Sequence, residues 1–390
     1  MLERAKELSD TLVALRREVH RHPELGFQEQ RTARLIADRL AGLGIAVRSG
    51  VAKTGVVGDL GSGGRCIALR ADMDALPIQE ENEEPYASTV PGVMHACGHD
   101  AHVACLLGAA QLLAEESAAG RLPGRVRFLF QPSEENQDDE GLSGGMRMAA
   151  EGCIEGVDAV VGLHVWTDLP LGTISVRVGT ACAYPDKFSL VIKGQQAHGA
   201  FPHRGLDAIA LSAQVINAFQ AVISRRMDPT RGKVLTVGTI QGGTKDNILA
   251  GEVTMTGTIR TFEPETRETL FVEMERACGV ARALGGDFEL TIIPGYIPVV
   301  NDPTITALVR QVGADLLGTD NVREAVLEMG GEDFSYLAQE VPGCFFWLGG
   351  ATPGKPARLH HHPCFDVDER CLPLGTALLA EISIRFLAEN

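Results

Sequence analysis

The sequence is short of three things: aromatic side chains, basic charge and long apolar runs. Aromatics make up 5% of its 390 residues, yet a mean hydropathy of +0.04 beside 44 glycines is ordinary globular composition and excludes a disordered or membrane-embedded chain. Lysine and arginine total 35 against 51 acidic residues, a formal net charge of -16. Nucleic acid and anionic membrane both reward a basic surface, so neither is expected as a partner. No stretch approaches the roughly 18 uninterrupted apolar residues of a membrane span. The opening MLERAKELSD is amphipathic, without a charged segment leading into an apolar one, so a cytoplasmic protein is expected. The nine cysteines are odd in number and follow no small-scaffold spacing. Cys105, Cys278 and Cys344 lie in apolar runs, as packing residues of a reducing compartment do. Internal repeats and low-complexity segments are absent.

What the chain does have is MHACGHDAH, Met94 to His102, which puts a thiol and three imidazoles beside a glycine. Cys97 and His99, separated by Gly98, can converge on one metal ion if the backbone bends there. Thiolate and neutral imidazole are ligands that borderline-soft ions such as zinc select. Taken alone, the cluster equally describes a small buried cysteine with partnered histidines.

At this length two domains are expected. Leu8, Leu12, Leu15 and Val19 recur at helical spacing up to His22-Pro23, and Ala33, Ile36, Ala37 and Leu40 mark a second helix. Strand-like runs follow at 55–60, 66–70, 126–130, 159–163 and 173–178, with a helix at about 100–116 whose Val103, Leu106, Leu107, Ala110 and Leu113 share one face. This alternation predicts an α/β sheet with helices on both faces. From KFSLVIKG onward the rhythm changes to β-α-β-β-α-β, the ferredoxin-like order, bracketed by Tyr184-Pro185 and Pro294-Gly295. We therefore read residues 185–294 as a domain inserted into one formed by 1–184 and 295–390.

Three further polar clusters stand where strands of the outer domain should end: Ser133-Glu134-Glu135, His164, and His360-His361-His362 before Pro363. The crevice beyond strand ends is where open α/β sheets bind ligands. Two adjacent carboxylates diverge, so one can bind metal while the other serves as general base. Each cluster alone is compatible with a solvated loop or a satisfied histidine; four together are hard to assign to chance.

MHACGHDAH, QPSEE at 131–135, GLHVW at 162–166, the ADMDALPIQEE run from Ala71 and HHPCFDVDE at 361–369 together resemble the M20 metallopeptidase family. The resemblance runs through the whole chain in order and is closest to the branch that hydrolyses N-acyl amino acids, which includes hippurate, auxin-conjugate and aminoacylase-like hydrolases. GQQAHGAFPH and GGTKDN in the inserted segment match that branch too. It implies two divalent ions, zinc first, with manganese, cobalt or nickel as alternatives, held by Cys97, His99, Glu135, His164 and His361, the thiolate bridging. It implies Glu134 as general base and His198 as an oxyanion-stabilising residue, often reaching across from a partner subunit. The inserted domain would then be a lid and dimerisation domain, in a homodimer or dimer of dimers. Asn247 and Arg260 are candidate contacts for the substrate's α-carboxylate, the arginine fork matching a carboxylate bidentately. Physics alone leaves the ligand register within His360–His362 open, and the roles of Glu332 and Asp333 in GGEDFS unassigned. Asp72 and Asp74 can orient a ligand, and His102 is expected to cap or pack.

The expected activity is hydrolysis of the amide bond of a small N-acyl-L-amino acid. A dipeptidase or carboxypeptidase of the same family is the alternative, against which Cys97 speaks, since peptidase branches carry Asp there. A non-catalytic metal-dependent binding protein has no need of Glu134. NQDDEGLSGG after Glu135 is more acidic than the branch's glycine loop, and Thr167-Asp168 replaces a Pro-containing stretch; both bear on substrate preference.

Overall fold

CIALRAD and RVRFLFQ are buried almost throughout, the signature of central strands covered on both faces. A computed structural model describes residues 1–354 and 358–388. Its helices are α1 Leu2–Glu7, α2 Ser9–Arg21, α3 Gln30–Gly42, α4 His99–Ala118, α5 Gly144–Ala150, α6 Ala208–Ala221, α7 Pro264–Ala283, α8 Pro303–Leu317, α9 Phe334–Glu340 and α10 Leu372–Ala388. The strands run β1 Ala46–Val51, β2 Gly55–Gly61, β3 Cys66–Asp72, β4 Arg125–Gln131, β5 Ala159–Pro170, β6 Ile174–Val176 and β7 Gly179–Thr180. They continue as β8 Tyr184–Lys193, β9 Lys233–Gly242, β10 Glu252–Thr261, β11 Asp287–Ile293, β12 Val300–Asn301, β13 Val322–Glu324 and β14 Gly343–Ala351.

The chain divides into two units. Unit 1 comprises Met1–Ala181, Val299–Val326 and Asp333 onward, and holds a mixed sheet in the order β1-β2-β4-β3-β5-β14-β6-β13. Its centre, β4-β3-β5-β14, is parallel. Val161, Leu163 and Val165 enter the core shared with α4 and α10, whereas Gly162 between them faces Phe345 and Phe334, the latter on α9. Helices thus cover both faces. The pairing sets Asp72 opposite Gln131 and Arg70 opposite Gly162, so the carboxyl ends of the parallel strands, with His164 two residues beyond Gly162, meet at one edge.

The helix expected to bury one face, α4, is buried around its circumference from His99 to Leu113, because it is packed between α2, α10, β3 and β5. The segment Glu369–Ala388 is long and apolar enough to cross a membrane, but 72% of its apolar window is buried inside the protein, as in a core helix. All cysteines but Cys364 are buried, and none forms a disulfide.

Unit 2, Cys182–Pro298 with Leu327–Glu332, is an antiparallel sheet in the order β11-β8-β10-β9, built from β-α-β-β-α-β. Phe188, Leu190 and Ile192 of β8 pack with Val215 and Phe219 of α6 and Leu270 and Met274 of α7. Asp207 caps α6 by accepting from Ile209 N at 2.9 Å, the role an N-cap carboxylate plays. That residues 327–332 join this unit is announced by no periodicity in the sequence.

Candidate metal centre

The bend at Cys97-Gly98-His99 is real, and only glycine fits it: Gly98 has φ +93°, and a Cβ there would lie 2.4 Å from Val165 Cγ2. It starts α4 and turns Cys97 and His99 toward the strand ends. Cys97 Sγ lies 3.4 Å from His164 Nε2. Nδ1 of His99 donates to the Asp74 carbonyl at 2.9 Å, with Asp74 Oδ1 at 3.1 Å, which leaves Nε2 as the nitrogen that faces the cluster, buried and without a hydrogen bond. His361 Nε2 stands 3.0 Å from Glu135 Oε1, a pairing that raises the His361 pKa above the usual imidazole range. His361 adopts φ +61° and donates its N–H to Ala96 O at 2.8 Å. Among the described residues, five sets of donor atoms each fall within 4.8 Å of one another: Cys97, His99 and His164; Cys97, Glu135 and His361; His99, Glu134 and Glu135; Asp72, His99 and His102; Glu134, Glu332 and Asp333. Cys97 belongs to two of them.

The neighbouring imidazoles are occupied differently. His102 Nδ1 donates to Asp72 Oδ1 at 2.6 Å while its Nε2 accepts the Val165 N–H at 2.9 Å, so both nitrogens are spoken for. His360 donates Nε2 to Val165 O at 3.0 Å and stacks on Trp166 at 4.4 Å. His164 donates Nδ1 to that same oxygen at 2.7 Å, which turns its Nε2 lone pair to Cys97. The backbone of one residue, Val165, is therefore held by three histidines through its N–H and its carbonyl, and of the run 360–362 it is His361 that faces Glu135.

Behind them lies a fully buried chain that sequence reasoning did not assemble. Arg70 Nη1 bonds Asp72 Oδ2 at 2.6 Å and Nη2 bonds Asp333 Oδ1 at 3.0 Å. Asp333 also accepts from Gln131 Nε2 at 2.6 Å and from Gly145 N at 2.7 Å. Asp333, unassigned from sequence, is thus a brace between β3, β4 and α5. The signal for Arg70 was there, a lone cation inside an apolar strand, but besides Asp72 its partner is Asp333, 263 residues away.

The field at the cluster favours positive charge. Burial, then the charges of Glu135, Glu134 and Asp72, push the Cys97 thiol well above its usual range. Burial works against a charged His99, yet Asp72 and Asp74 raise it to about 10. Burial also opposes ionised Asp72, and Arg70 overcomes it and holds the carboxyl well below its usual range. Buried His164, beside His102 and His360, is held well below the imidazole range and stays neutral. A sulfur, nitrogen and oxygen donor set with a buried His99 Nε2 that makes no hydrogen bond and several carboxylates around it fits divalent cations.

His198, Asn247 and Arg260 belong to unit 2. His198 is exposed, its Nδ1 accepting Ala200 N at 3.0 Å, and the adjacent Gly199 N donates to Asn247 O at 2.8 Å, so these two loops are neighbours. Arg260 is half-buried; Nε donates to Met329 O at 2.9 Å and Nη1 to Ile259 O at 2.9 Å and to Thr258 Oγ1. It makes no ion pair among the described residues.

The sequence profile of peptidase family M20/M25/M40 matches residues 68–385. The chain is 39% identical over 390 residues to Thermostable carboxypeptidase 2 of Saccharolobus solfataricus, covering 98% of this chain and 96% of that one. It is 39% identical over 391 residues to N-acetyl-L-cysteine deacetylase of Bacillus subtilis, covering 98% and 90%. Among solved structures, the Bacillus subtilis YXEP protein, a dinuclear metal binding peptidase from the M20 family, superposes with a TM-score of 0.84 at 36% identity over 98% of this chain and 99% of that one.

Proposed function

The chain belongs to peptidase family M20/M25/M40, and from that membership we propose that it is a metal-dependent amidohydrolase cleaving the amide bond of N-acyl-L-amino acids to a carboxylate and a free amino acid. The observation that carries the reading is the set of buried donors sharing Cys97, with Glu134 beside His99 and Glu135. Cys97, His99, Glu135, His164 and His361 would hold two divalent ions, zinc first among them. Such ions polarise a carbonyl and lower the pKa of water.

Glu134 takes a proton from the attacking water as its oxygen bonds the amide carbon, and passes it to the nitrogen as the C–N bond breaks. Asp74 fixes His99, and the Val165 peptide fixes His164, in the tautomers that leave Nε2 free. In unit 2, read as a ferredoxin-like lid and dimerisation domain spanning 185–294, His198 would stabilise the developing oxyanion. The catalytic domain would then be 1–184 with 295–390, in a cytoplasmic homodimer. Asn247 and Arg260 would hold the α-carboxylate; that Arg260 makes no ion pair among the described residues supports this.

A second reading, a carboxypeptidase, has one specific support, the relative of that name at 39% identity. Both readings use an amide next to a free α-carboxylate and differ in what lies on the acyl side. The test is a hydrolysis screen of N-acetyl and N-benzoyl amino acids against dipeptides and N-blocked dipeptides, using chelator-stripped protein reloaded with zinc, manganese, cobalt or nickel. Preference for simple acyl groups is expected; preference for the peptides selects the second reading, and no turnover with any metal returns the protein to a binding role.

A further inference from the structure

Ser133, the residue before the two carboxylates, holds φ at +43°, in the left-handed region that side chains with a Cβ avoid. Something must over-determine that turn. Glu29 is fully buried, and its Oε1 accepts the Ser133 N–H at 2.9 Å. Its Oε2 accepts the hydroxyl of Thr54, which follows Ala52 and Lys53, both at positive φ, in the β1–β2 turn. The approach is close: a Cβ on Gly26 would fall 2.3 Å from Ser133 Oγ. On the far side the turn is held by Gly144 N donating to Ser133 O at 3.0 Å and by Ser133 Oγ donating to Asn136 O at 3.0 Å. Glu29 is thus the one ionisable side chain seen to bond the Ser133 backbone. A buried carboxylate is costly, and packing alone would be served as well by an apolar residue.

We propose that Glu29 is a positioning residue for the reaction, holding Ser133 in the left-handed conformation from which Glu134 and Glu135 diverge toward the donor cluster. The inference rests on the reading of Glu134 as general base. Glu29 touches neither substrate nor metal donors; it acts through the backbone.

The test uses the full-length zinc-loaded protein and the best-cleaved N-acyl amino acid of the screen above, with Glu134→Gln run in parallel. Glu29→Ala is expected to lower kcat roughly 100-fold with little change in KM, the cost of misplacing a reacting group by about 1 Å. The visible spectrum of the cobalt-loaded protein should change with it, because Glu135 moves with the turn. Glu29→Gln should stay within about 5-fold of wild type, since its amide oxygen still accepts from Ser133 and the Thr54 hydroxyl can rotate to accept from its nitrogen. Adding Ser133→Gly to Glu29→Ala should recover about 10-fold, because glycine takes this φ without strain. Should the alanine variant fail to fold, Glu29→Asp, too short to reach both partners, should still lose about 10-fold in kcat. Wild-type kcat and cobalt spectrum in folded Glu29→Ala or Glu29→Asp overturn the proposal, as does a lowered Tm with kcat unchanged. If Glu134→Gln is also active, the general-base reading falls; if only the Glu29 variants are active, that reading stands and the positioning role alone is lost.

Discussion

His99 and Asp100 are adjacent in sequence yet feed two different buried clusters of unit 1. Asp100 accepts from Arg16 Nε and from His20 Nδ1, each at 2.8 Å; Arg16 goes on to Asp366 at 2.6 Å and Glu369 at 3.2 Å, and His20 to Glu80 at 3.2 Å. Arg17 joins Glu369 at 2.6 Å and Arg358 joins Asp366 at 3.0 Å, so four cations meet four carboxylates and the chain supplies its own neutralisation. His99 enters a group where Cys97, Glu134, Glu135, Asp72 and Asp74 gather around buried imidazoles, of which His102, His164 and His360 are held neutral, and where Arg70 bonds Asp72. His95 stands between, neither nitrogen bonded. The difference separates a network that stabilises a fold from one that waits for a cation: in a low-dielectric interior surplus negative donors are tolerable only if a positive ion completes them.

The comparison is broken hardest at Glu134. Glu134→Gln should keep bound metal and Tm while turnover falls by roughly 10²–10⁴-fold, whereas Glu135→Gln should also shed metal; elemental analysis beside initial rates separates the two. Next comes the self-neutralised cluster. Arg16→Met removes the guanidinium shared by Asp100, Asp366 and Glu369, leaving buried Asp100 to His20 alone, and should destabilise the protein by about 3–5 kcal/mol in urea unfolding, with metal content per folded chain unchanged. A metal loss larger than the loss of folded protein would merge the two clusters into one system.

Third is pH. Burial opposes a charged His20, but Asp100 and Glu80 lift it from about 6.5 to about 9. A raised folded-state pKa gives stability that is complete below about 6.5 and lost as pH climbs through about 9, here about 3 kcal/mol. Unfolding free energy should therefore decline across that window in wild type, and less steeply in His20→Gln. The smallest effect is expected from His102→Ala, which removes the acceptor of the Val165 N–H and so loosens His164: metal affinity should drop about 10–100-fold by chelator competition, with Tm little changed.

Much of the site was legible because its residue types are improbable elsewhere. A thiol and an imidazole flanking a glycine, and paired glutamates just beyond an apolar strand, are chemical statements that survive without coordinates. The central strands and α4 were legible for a related reason, apolar runs of strand or helix length. What escaped were partners distant in sequence: Asp333 for Arg70, Glu29 for Ser133, Asp100 for Arg16. Each is a single charged residue whose meaning depends on what packs against it, and the short strands β7, β12 and β13 escaped because two or three residues carry no period, whereas β6 lies inside the run read at 173–178.

The sequence by itself determined which atoms are available for chemistry, through Cys97, His99, Glu134, Glu135, His164 and the run 360–362, and where the β-α-β-β-α-β order begins. Only the tertiary structure decided which of those atoms remain unpaired. His361 rather than His360 faces Glu135 because the Val165 carbonyl claims His360, and His102 is withheld because Asp72 and the Val165 N–H occupy both its nitrogens. A donor's freedom is set by neighbours brought together only on folding, and no local pattern in the chain records it.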